Sequence, residues 1–224
     1  MAVWDVQGAG VTLPSLNAGA DGPAALSRRG EQLTVPWYQE WVNKGRVYQA
    51  SNPTVGTAVA LSGTGYVATT PALLLTVPAG TTAVPLLVRL RQGGTVAGGV
   101  ITVLIAADTI NRYSSGGTAH TIINLKIGGA GAPTNGTGAR VSACSFYSGA
   151  TAAGVTTHIQ LYGAIITHDV ATTPNAFQNV VPDWPLPGEP APLLVGPASL
   201  LVHSFAATTA PSWHYAVRWI ELDS

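Results

Sequence analysis

Glycine, proline, threonine and valine interrupt almost every ten-residue window of this chain, and few windows place apolar residues at helical spacing. Such punctuation excludes a helical bundle. Short apolar segments of strand length recur instead. The clearest are Ala72–Val77 (ALLLTV), Leu86–Leu90 (LLVRL), Val100–Ala106 (VITVLIA) and Thr118–Lys126 (TAHTIINLK). Arg140–Tyr147 (RVSACSFY), His158–Ile166 (HIQLYGAII), Ser199–Phe205 (SLLVHSF) and His214–Leu222 (HYAVRWIEL) follow. Turn-forming stretches such as Gln92-Gly93-Gly94 and Ser114-Ser115-Gly116-Gly117 separate them. About eight short strands with irregular connections predict an all-β fold, a jelly-roll-like antiparallel sandwich with an N-terminal extension.

The last strand is the most legible. By alternation Tyr215, Val217 and Trp219 point to the core, while His214, Ala216, Arg218 and Ile220 point away. Residues 1–46 read as an arm and residues 47–224 as the sandwich. In the arm, short apolar pieces alternate with turns, and it holds three of the six tryptophans. Pro36–Lys44 (PWYQEWVNK) predicts a short helix opened by its proline. Seven prolines between Pro174 and Pro197 predict a stiff, extended surface connector.

Ten Lys and Arg balance ten Asp and Glu, and charged residues make up 9% of the chain, against roughly 25% in an average soluble domain. A neutral chain is poorly suited to coat nucleic acid, so no direct nucleic-acid contact is expected. A single cysteine, Cys144, excludes a disulfide scaffold. With no run of 18 apolar residues and no signal-peptide pattern, no membrane association is expected. An exterior this poor in charge favours burial against other copies. Residues 89–140 carry five cations and one anion, and residues 159–224 one cation and five anions. Complementary flanks on adjacent copies follow if these regions lie apart.

Catalytic motifs are scarce. The chain lacks a G-x-S-x-G elbow, a P-loop and a G-x-G-x-x-G turn. Its five histidines, His120, His158, His168, His203 and His214, show no close metal-ligand spacing, although His203 and His214 could meet across adjacent strands. Cys144 reads as a small buried residue in mid-strand, and Glu221 and Asp223 as solvated acids at the chain end. We therefore expect no enzyme, no cofactor and no metal.

Four segments together carry a resemblance: Asn52–Thr57 (NPTVGT), Thr69–Leu75 (TTPALLL), Asn111–Thr118 (NRYSSGGT), and the Ala210-Pro211 turn leading to Tyr215–Glu221. Over roughly residues 50 to 222 the pattern resembles small all-β virion structural proteins of tailed bacteriophages. The resemblance implies a jelly-roll protomer of the particle, a capsid decoration or cement protein that forms a homotrimer. It further implies contact with the major capsid protein or another virion protein, and assembly in the host cytoplasm. It transfers no functional residue and does not reach residues 1–46. For the arm, Trp4, Trp37 and Trp41 are the candidate interface residues, each able to contribute ~2–4 kcal/mol when buried in a contact. Two alternatives use the same sandwich. A receptor- or carbohydrate-binding module of a tail or fibre would hold Tyr113, Trp184 and Trp213 in solvent as sugar-stacking loop aromatics. A shell-forming capsid protein would turn a basic face to the genome.

Overall fold

Strands with one apolar face must pair and then pack that face, and this chain does so in nested order. The computed structural model describes residues 37–60, 63–93, 99–127, 140–154, 158–168, 181–206 and 211–223. Helix α1 (Trp37–Asn43) is followed by β1 (Val47–Ser51), β2 (Val59–Ala60), β3 (Leu73–Val77), β4 (Thr81–Gly93) and β5 (Gly99–Asp108). Next come β6 (Tyr113–Ser115), β7 (Thr118–Ala119), β8 (Ile123–Asn124), β9 (Ser145–Ser148) and β10 (Thr151–Ala152). The last four are β11 (Ile159–His168), β12 (Leu194–Val195), β13 (Ala198–Ala206) and β14 (Ser212–Asp223).

Eight of these strands carry the architecture. β1 pairs with β14, β3 with β13, β4 with β12 and β5 with β11, all antiparallel. The chain is thus one long hairpin of four nested pairs. It folds over on itself because β14 also pairs with β4, and β13 with β5. Two sheets result, ordered β12-β4-β14-β1-β8 and β11-β5-β13-β3-β9-β7. This double-sheet wrap is a jelly roll.

The core lies between the sheets. Tyr215, Val217 and Trp219 of β14 face inward, as their alternation predicts. They join one buried cluster with Leu73 and Leu75 of β3, Ile101, Val103 and Ile105 of β5, and Leu200 of β13. Trp219 stacks between Tyr48 and Phe146, with ring centroids 6.2 and 6.3 Å away. The indole N–H of Trp213 on β14 donates to Ser204 Oγ on β13 at 2.8 Å, a polar tie between the sheets. Pro85 lies within β4, where a missing N–H is tolerated only beside an irregularity. The register with β14 shifts there, between Arg218 and Trp219, so that Leu86 is the extra residue.

Part of the outer face of the second sheet is also covered. β6 and β10 pair with each other, and Ala150 and Ala152 bury Leu74 and Leu201 beneath them. Gly117 (φ +76°) makes the turn that allows this, since a Cβ there would lie 2.7 Å from the Ala150 backbone.

Several local expectations are corrected. Thr118–Lys126 is not one strand: β7 joins β9 in the second sheet, and β8 joins β1 in the first. The segment crosses from one sheet to the other. Cys144 is buried but precedes β9 instead of sitting in mid-strand. Glu221 is 5% exposed, so it is not a solvated acid, because β14 turns it inward on the same face as Trp219. The Asp223 side chain lies outside the described residues. The predicted helix is present as α1, and the proline-rich segment carries β12 near its end.

Candidate interaction surface

The ten residues of β11, IQLYGAIITH, include neither a formal charge nor a proline. β11 pairs with β5 along one side, and among the described residues its other side has no partner strand. Soluble proteins guard such an edge with lysine, proline or a bulge. Here the guard is one register shift, between Gln160 and Tyr162. Beyond it Ile165 is 73% exposed.

β12 is the neighbouring edge of the other sheet. Between the two edges lies a groove of about 530 Å³, lined by Ile110, Ile159, Leu193 and Val195 among others. All four are exposed. The Asp108–Arg112 ion pair (2.7 Å) stiffens its wall, and Arg112 also donates to the Gly154 carbonyl at 2.8 Å.

The arm candidates divide. Trp4 lies outside the described residues. Trp37 is 61% exposed and meets Tyr38 edge to face, and Trp41 is half-buried with the Lys44 ammonium 5.0 Å from its ring. Helix α1 has no buried residue at all. The loop aromatics do not form a sugar platform. Trp184 and Trp213 belong to the core, and Tyr113 is half-buried, stacked on Tyr147 at 4.1 Å. Trp184 is drawn in because its backbone pairs with Val88 in both directions.

His203 and His214, which could have met across adjacent strands, belong to different sheets. His203 lies instead beside His158 and Tyr66, with ring centroids 6.0 and 5.1 Å away. The His168 side chain is outside the described residues. His120 Nε2 lies 2.8 Å from Ser148 Oγ and 3.0 Å from Tyr215 Oη. Burial lowers the pKa of His120 against a raising contact from the Ser51 backbone. Ser148 is itself buried, so this contact is a satisfied polar network and not an exposed nucleophile. Burial pushes the Cys144 thiol well above its ordinary range, which leaves it unreactive. Among the described residues no three His, Cys, Asp or Glu gather as a metal set, and no helix is long and apolar enough to cross a membrane.

The two oppositely charged regions meet within one chain. Arg89 and Arg91 both reach Asp183, at 2.5 and 3.2 Å. The Arg89 hydrogen bond holds the Asp183 carboxyl below the usual carboxylate range. Its contribution is present above the unfolded pKa near 3.9 and is lost as pH falls through the lower folded value. Because the partners are partly exposed, Asp183→Asn should cost less than about 1 kcal/mol, and less in high salt. Urea titrations at two ionic strengths check this. A larger, salt-independent loss contradicts it.

Sequence reasoning misses Ile110, Leu193 and Val195 as a surface cluster, because only the wrap brings β11 and β12 to one edge. Compared with protein-family models, curated proteins and solved structures, the chain matches none.

Proposed function

We propose that the protein is a bacteriophage virion structural protein, a capsid decoration protein that self-associates and binds the capsid lattice. The observation that carries this reading is the β11 edge, which among the described residues has no partner strand and only one register shift to guard it, beside the exposed apolar groove. Such an edge is a liability in a solitary protein and an asset in an assembly. The jelly-roll wrap is compatible with a coat component, though the same fold also serves lectins and cupins. Sparse charge lowers the desolvation cost of burying the exterior. Inward-facing Trp184 and Trp213 weigh against the carbohydrate-binding alternative. Internal pairing of Arg89, Arg91 and Arg112 weighs against a basic face for a genome.

Sedimentation velocity of the full chain over a range of concentrations tests the reading. The expected result is a discrete oligomer, a trimer by the resemblance. A single-chain species at every concentration overturns it.

A further inference from the structure

His203 of β13 is 2% exposed, and among the described residues its Nε2 has no hydrogen-bond partner. Native proteins seldom leave a buried polar atom dry, and a bound ion is one of the established reasons for an exception. Filling space does not require an imidazole here, because Phe205, two residues along the strand, packs on the same Tyr66 ring. His158, just before β11, lies beside His203 with ring centroids 6.0 Å apart and planes inclined by 20°. Tyr66 closes the cluster. It stands edge-on to His203 at 5.1 Å, and its Oη is 3.3 Å from His158 Nε2. The segment that carries Tyr66 is tied to β13 by the Ala206 N–H, which donates to the Gly63 carbonyl at 3.1 Å.

We infer that His158 and His203 bind a Zn²⁺ ion between their rings, with water completing its shell and Tyr66 orienting His158. Nitrogens about 2.0–2.1 Å from one tetrahedral zinc place two imidazole centres about 5 Å apart, and a wider angle at the metal about 6 Å. The observed separation falls at the wide end of that range. When His158 donates its Nε2–H to Tyr66 Oη, Nδ1 keeps the lone pair that a metal takes. Ligating histidines commonly give their second nitrogen to such a partner. Ligation also requires neutral rings. Burial, and then the neighbouring His158, push the His203 pKa down to about 4, so that ring is uncharged at neutral pH. His158 is half-buried and Tyr66 is exposed, which gives the ion a path from solvent and room for its waters. Histidine spacing predicts no such site, because topology alone brings His158 and His203 together.

The test is a calorimetric titration with Zn²⁺ at neutral pH, using the full-length protein freed of metal by chelation and dialysis. One ion per chain should bind with a dissociation constant of about 10 μM or tighter. His158→Ala and His203→Phe should each abolish binding in this range. Tyr66→Phe should weaken it about tenfold, the effect of losing a partner that orients a ligand. His214→Ala, in the other sheet, should bind as the unchanged protein does. Circular dichroism confirms each fold, and His158, being only half-buried, serves if the His203 variant does not fold. The urea midpoint of the unchanged protein should rise with Zn²⁺, and that of His158→Ala should not. Absence of binding, or binding retained by His158→Ala, overturns the site. Unchanged affinity in Tyr66→Phe overturns the role given to Tyr66. The site needs no second copy of the chain, so its test is independent of the oligomeric state.

Discussion

Replacing Glu221 with alanine should cost about 2–3 kcal/mol of stability, although the position is three residues from the end of the sequence. The carboxylate accepts from the Ala143 N–H and the Trp219 indole N–H, each at 2.9 Å, and from the Ser142 hydroxyl. Alanine removes the acceptor and leaves these donors in a site that is 5% exposed at Glu221. The Trp219 indole N–H is the fully buried donor, and orphaning it costs ~1–3 kcal/mol; the Ala143 N–H and the Ser142 hydroxyl are partly exposed and lose less. The contacts also cross the sandwich, since β14 belongs to the first sheet and residues 142–143 lead into β9 of the second. Glu221→Gln, which keeps the shape and one carbonyl acceptor, should lose about half as much. Urea unfolding at neutral pH provides the measurement. A loss below about 1 kcal/mol for alanine shows that water replaces the carboxylate, and removes Glu221 from the account of this edge.

Glu221 also shows where sequence reading stops. Alternation along β14 places it on the core face with Trp219, yet an acid near a chain end reads as solvated. Two of its three donors lie 78 and 79 residues away, and no local pattern announces them. Tyr215, Val217 and Trp219 are legible because a half-buried strand writes its burial directly into a period of two. The same rule fails for Thr118–Lys126. That run has strand composition throughout, but its two ends pair with different sheets. β1 escapes a pattern search because five residues, VYQAS, are too few to establish alternation. As for the surface, the lack of charge in β11 is visible in the sequence, whereas its position at an edge beside Leu193 and Val195 follows from topology. Trp184 reads as a loop residue because its surroundings are rich in proline, and the backbone pairing with Val88 that buries it is a long-range contact.

Stability should also fall between pH 6.5 and pH 4 through one buried ring. His203 is 2% exposed, and among the described residues its Nε2 has no hydrogen-bond partner. Burial first, and then the neighbouring His158, push its pKa down to about 4. In the unfolded chain the value is near 6.5, so the unfolded state binds more protons across this interval. Stability therefore rises with pH here: the full contribution is present above about 6.5 and is lost as pH falls toward 4. At about 1.4 kcal/mol per unit over two and a half units, the loss is about 3 kcal/mol. His120 is lowered too and adds a slope of the same sign. Asp183, lowered from 3.8, acts below this window. The comparison that isolates His203 is His203→Phe, which keeps an aromatic ring beside Tyr66 and removes the titration. Urea midpoints measured from pH 7.5 to pH 4 should fall steeply in the unchanged protein and markedly less in the variant. Equal slopes in the two proteins would mean that His203 takes up its proton without unfolding the surface around it, with water reaching the ring beneath Tyr66.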